Sequence, residues 1–154
     1  MMRRNGFTRR QVMTGAGAVA LSLASTRVMS AAPPASSITP ELVEAAKKEG
    51  KVVWYTSVDL PLAERVAKTF EAKYPGISAR VERTGAERVF TRIAQEYSSN
   101  IFAVDVVNSS DAAHLIVWKR NGWLLPYVPE DVAKHYTAEH KDADGQFASF
   151  RVFL

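Results

Sequence analysis

The chain has 154 residues, enough for one domain or part of a larger one, and its apolar fraction of 47% excludes general disorder. Its formal charge of +4 is local. Arg3, Arg4, Arg9, Arg10 and Arg27 stand in the first 35 residues without an acid, and taking those five from the twenty basic residues leaves fifteen against sixteen acidic ones, a net of −1. That neutral body argues against nucleic acid as a partner, and the absence of cysteine excludes disulfides, thiolate metal sites and cysteine nucleophiles.

Residues 1–35 read as an export address followed by a linker. Thr8-Arg9-Arg10-Gln11-Val12-Met13 resembles a twin-arginine signal, and the small-residue stretch 15–25 is far short of the ~20 residues a membrane helix needs. Ser30, Ala31 and Ala32 offer a cleavage site. The destination implied is the periplasm. Gly15 and Gly17 are not a dinucleotide fingerprint, because no strand precedes them.

The body, 36–154, opens with a helix. Thr39 caps it, Pro40 enters its first turn, Leu42, Val43, Ala45 and Ala46 give it an apolar face, and Gly50 ends it. A strand–loop–helix unit then occurs three times. The first has a strand over 51–55, a loop at Thr56-Ser57 and a helix over 61–74, with Leu62, Val66, Phe70 and Tyr74 as its predicted buried stripe. The second has an edge-type strand over 77–83, the loop Thr84-Gly85 and a helix over 86–98 that turns Val89, Phe90, Ile93, Ala94 and Tyr97 inward. The third has a strand over 103–107, the loop Asn108-Ser109-Ser110 and a helix over 111–121 burying Ala112, Leu115, Ile116 and Trp118. A short helix over 130–136, a polar turn over 141–145 and a strand-like run over 147–154 follow. A strand that ends the sequence with nothing to pair with is read as a sign of truncation.

Strands alternating with helices predict an α/β fold with a mostly parallel sheet flanked by helices. Ligands of such sheets bind beyond the C-terminal strand ends, where loops meet helix N-termini. Thr56, Ser57, Thr84, Gly85 and Ser109 are therefore the candidate ligand-binding residues, with helix capping as their ordinary alternative role. Catalytic chemistry finds less support. Ser57, Ser109 and Ser110 lack a nucleophile elbow, and His114 reads as a surface or capping residue. Asp142-Ala143-Asp144-Gly145 lacks the later ligands of a calcium loop and reads as a turn. His135 and His140 are five apart, off one helix face. Asp105 reads as a carboxylate that bonds nearby backbone amides.

Taken together, VVWYTS, TFEAKYPGI, RTGAERVFTRIAQE, DVVNSSDAAHLIVWKRNGWLLPY and KDADGQF resemble the extracellular solute-binding proteins of ABC importers, and most nearly the group of periplasmic iron(III)-binding proteins. The resemblance implies a class II periplasmic-binding-protein-like fold of two hinged lobes, of which this chain is an incomplete first lobe. It implies a receptor, not an enzyme, with no cofactor, that carries a small anionic or metal-chelate solute such as iron(III) or a phosphonate to an inner-membrane ABC permease. Iron-binding members place a histidine or tyrosine ligand just after the first strand. Here Tyr55 and Asp59 flank that position and no histidine is present, while the tyrosine pair of such sites would lie beyond Leu154. The other readings of the sequence are an exported α/β enzyme such as a hydrolase, and a stand-alone interaction module.

Overall fold

The computed structural model describes residues 31–149. The twin-arginine stretch and the end of the strand-like run, 150–154, lie outside the described residues. Helix α1, Pro40–Glu49, is delimited as its caps dictate: Thr39 accepts the Leu42 N–H at 3.2 Å, and Gly50 leaves the helix in the left-handed conformation (φ 73°) that glycine adopts without penalty. Its expected apolar face is not buried. Leu42 is exposed, and Val43 and Ala46 are only half-covered.

The three units follow in order: β1 (Lys51–Thr56) and α2 (Leu60–Lys73), β2 (Ser78–Arg83) and α3 (Ala86–Ser98), β3 (Val106–Asn108) and α4 (Ala112–Arg120). All three strands are parallel, in the order β2-β1-β3. The run Val52–Tyr55 occupies the centre, as its apolar character requires, and alternating β2 lies at an edge. β3 is shorter than its sequence pattern predicts, because 103–105 stay outside the ladder.

The core forms where α3 and α4 meet β1. Val53, Tyr55, Val89, Ile93 and Trp118 are its buried members, with Phe90 tilted against Trp118 at 5.9 Å between ring centres. Two further predicted helix faces need correction. On α2 the buried residues are Ala63 and Ala67, whereas Val66 is exposed and Leu62, Phe70 and Tyr74 are half-buried. Two alanines one turn apart let the helix lie close to the sheet, and the bulkier stripe is turned aside to flank a shallow groove with Arg65 and Lys73. On α4 the buried pair is His114 and Trp118, while Ala112 and Ile116 face outward.

Past α4, helix α5 (Glu130–His135) and a 3₁₀ turn (Ala138–His140) lead to the turn 141–145. Its two carboxylates are held by one ammonium: Lys119 Nζ lies 2.6 Å from Asp142 and 2.8 Å from Asp144, and these bonds raise the lysine pKa. Lys141 and Ala148 form an isolated antiparallel bridge, so the strand-like run contributes no ladder among the described residues. The linker before α1 is also pinned. Ser36 donates to the Val128 carbonyl at 2.8 Å and accepts from Glu130 N–H at 3.0 Å.

This packing predicts unequal costs. Trp118→Ala should lose about 3–5 kcal/mol in urea denaturation of the full chain. Val66→Ala, on the outward stripe of α2, should stay within about 0.5 kcal/mol. Comparable losses would show that α2 buries the stripe after all.

Candidate functional site at the strand ends

Parallel pairing sets the C-terminal ends of all three strands side by side. Thr56, the last residue of β1, lies opposite Arg83 of β2 and Asn108 of β3, so the loops that follow emerge together. Thr84 N–H donates to the Thr56 carbonyl at 3.1 Å, extending the β1–β2 ladder into the second loop. Ser110 N–H donates to Ser57 Oγ at 3.1 Å, joining the third loop to the first. The structure thus brings Thr56, Ser57, Thr84, Gly85 and Ser109 to one edge.

Their roles within that edge differ. Thr56 is fully buried, and its hydroxyl is committed: it donates to Asn108 Oδ1 at 3.3 Å and accepts the Val58 N–H at 3.0 Å. It holds the loops together and faces no solvent. Ser57 and Thr84 are half-exposed. Ser57 Oγ accepts from Ser110, which leaves its own proton for an outside acceptor. Gly85 begins α3 with no side chain to cap the first-turn amides and with open space where a Cβ would stand. Uncapped amides at a helix N-terminus favour negative charge. Asp59 likewise leaves α2 uncapped, and its carboxylate, 89% exposed, lies 3.6 Å from Arg83.

Tyr55 and Asp59 are not gathered into a metal site. Tyr55 is buried beneath α3, with the Arg92 guanidinium 4.1 Å above its ring and its hydroxyl donating to Glu96 Oε1 at 3.0 Å. Arg92 also bonds Glu96 at 2.7 Å and reaches Glu82, so the phenol belongs to a charged network on the sheet. Burial and the Glu96 carboxylate push its pKa up from 10.0 to about 12.

His114 departs furthest from its expected place. It is 6% exposed, lies flat on Phe90 at 4.5 Å, and its Nδ1 is 2.9 Å from Ser109 Oγ. Its Nε2 faces Glu87, the second residue of α3, at 3.3 Å and Asp111, the cap of α4, at 3.9 Å. Periodicity along one helix cannot reveal a cluster drawn from two. The one available signal was the spacing of Asp111 and His114, which puts both on one side of a helix start. Beside β3 a cleft of about 1220 Å³ runs from Asn108, Ser109 and Ser110 past Trp118 to Trp123 and Phe147.

Two measurements check this geometry. Thr56→Val should cost about 1–3 kcal/mol, because it leaves the half-buried Val58 N–H and Asn108 Oδ1 without their partner, whereas Ser57→Ala should cost about 0.5–1.5 kcal/mol. Equal effects would dissolve the distinction between scaffold and rim. For Tyr55 the folded pKa lies above the unfolded one, so its contribution to stability is complete below pH 10 and is lost as pH rises to about 12. Ultraviolet titration should show a phenol ionising near pH 12 that Tyr55→Phe removes.

The sequence matches no family model and no curated protein. Among solved structures the chain is similar to the iron-bound HitA from Pseudomonas aeruginosa, at 23% identity and a TM-score of 0.54, over 62% of this chain and 30% of that one. The chain therefore spans under a third of the structure it matches. The likeness establishes the fold, a periplasmic-binding-protein-like α/β arrangement with a three-stranded parallel sheet flanked by helices.

Proposed function

We propose that the chain acts as the solute-binding component of an ABC importer, holding a small anionic or metal-chelate solute in the periplasm for delivery to an inner-membrane permease. The observation that carries this reading is the linked edge itself. Three loops converge beyond parallel strand ends, cross-bonded through Ser57 and Ser110, with the Ser57 hydroxyl proton and the α3 amides at Gly85 free to donate. The fold likeness to an iron-bound protein makes a ferric chelate a natural solute to test, with phosphonates beside it. Arg9-Arg10 at the head of a short apolar stretch supports export by the twin-arginine route. Hinge closure in a two-lobed protein would supply contacts from the facing lobe.

One observation favours a second reading. Ser109 Oγ, His114 and the carboxylates of Asp111 and Glu87 stand in the order of a hydrolase triad. Against it, Ser109 Oγ also accepts the Asp111 N–H at 3.1 Å, which turns the hydroxyl into its own loop, and no nucleophile elbow surrounds it. Steady turnover of p-nitrophenyl acetate that Ser109→Ala abolishes would establish the hydrolase.

Ser57→Leu combined with Thr84→Leu should abolish the thermal shift produced by whichever of ferric citrate, methylphosphonate or spermidine stabilises the full chain, while a cooperative melt is retained. An undiminished shift in the double variant would remove these loops from the site.

A further inference from the structure

The geometry points to a divalent transition-metal site formed by His114 Nε2 and one carboxylate oxygen each from Glu87 and Asp111. The three ligand atoms all lie within 4.8 Å of one another, and Nε2 is 3.3 Å and 3.9 Å from the two oxygens. Donors around a zinc-like ion, each bonded at about 2.0–2.2 Å, stand about 3–3.5 Å apart, so small rotations of two side chains close the set. One imidazole and two carboxylates suit zinc, manganese or ferrous iron, and the two negative charges balance a divalent ion.

The imidazole is the decisive member. More than nine-tenths buried, it is fixed on one face by Phe90 and at Nδ1 by Ser109, and this aims Nε2 at the carboxylates. Nε2 stands 3.3 Å from Glu87 and 3.9 Å from Asp111 and makes no hydrogen bond among the described residues. An imidazole fixed through one ring nitrogen, with the other directed at carboxylate oxygens, is the usual posture of a metal-binding histidine. Asp111 is held as well: Oδ1 accepts the Ala113 N–H at 2.8 Å, leaving Oδ2 on the histidine side. Glu87 is largely solvent-exposed, so coordination positions toward water remain open.

The helix N-termini by themselves explain carboxylates at positions 87 and 111. They do not explain a buried, oriented imidazole between them. The site is separate from Ser57 and Thr84, and it stands whether or not those residues hold a solute.

Zinc ion is the probe. Isothermal titration of the full chain at neutral pH should show one saturable site. Glu87→Gln and Asp111→Asn should each weaken it about 10-fold or more, Ser109→Ala about 10-fold, and His140→Ala should leave it unchanged. The carboxylate variants carry the test because they leave the core intact, and Asn at 111 still caps α4. His114→Ala opens a cavity beneath Phe90. The proposal is overturned if zinc shows no saturable uptake, or if uptake is unchanged in both carboxylate variants.

Discussion

The strand-end edge depends on what Asp105 does to Val53. Its backbone N–H donates to the Val53 carbonyl at 3.0 Å, as a ladder residue would, while its carboxylate accepts the Val53 N–H at 2.8 Å. In an uninterrupted parallel ladder that N–H would go to a strand carbonyl. Here a charged side chain replaces the carbonyl, in a bond of the kind worth about 1.5–3 kcal/mol. β3 can therefore begin late, at Val106, without leaving a central-strand donor unpaired. The same clasp fixes register: Trp54 meets Val106, Tyr55 meets Val107, and Thr56 meets Asn108. A slip of one residue would carry Asn108 away from the buried Thr56 hydroxyl and the third loop away from the first.

Much of this was legible in the sequence because local chemistry and tertiary packing agree. Thr39, Pro40 and Gly50 delimit α1, and Gly85 and the apolar spacing of Val89 and Ile93 delimit α3, before any neighbour is considered. The carboxylate of Asp105 bonds a backbone amide as read. The errors lie where burial is decided by a partner rather than by period. On α2, hydrophobicity favours Leu62, Val66, Phe70 and Tyr74, but close approach to a sheet favours small residues, and Ala63 and Ala67 prevail. On α4, a polar histidine is disfavoured inside until Ser109 and Phe90 supply a hydrogen bond and a stacking face. Neither partner is visible from within 112–120.

The candidate loops were legible as a set, but their division of labour was not. Sequence position makes Thr56 and Ser57 equivalent hydroxyls. Strand alternation does not, because it points one into the sheet's packing and the other toward the rim. The acids at 87 and 111 add a second character to the edge. Neutral donors at Ser57 and the α3 amides lie near carboxylates that a buried imidazole faces, so the edge offers both hydrogen-bond donors and anionic oxygens.

The bond from Ser110 to Ser57 also bears on chain entropy. Loops left free at strand ends would each have to find their arrangement when a partner molecule arrives, at about 1–2 kcal/mol of backbone entropy per residue. Here Thr56, Ser57, Asn108 and Ser110 are already tied across 52 and 53 positions of chain. That ordering is complete before any encounter. The backbone entropy of these loops is thus lost on folding and does not have to be lost again at this edge.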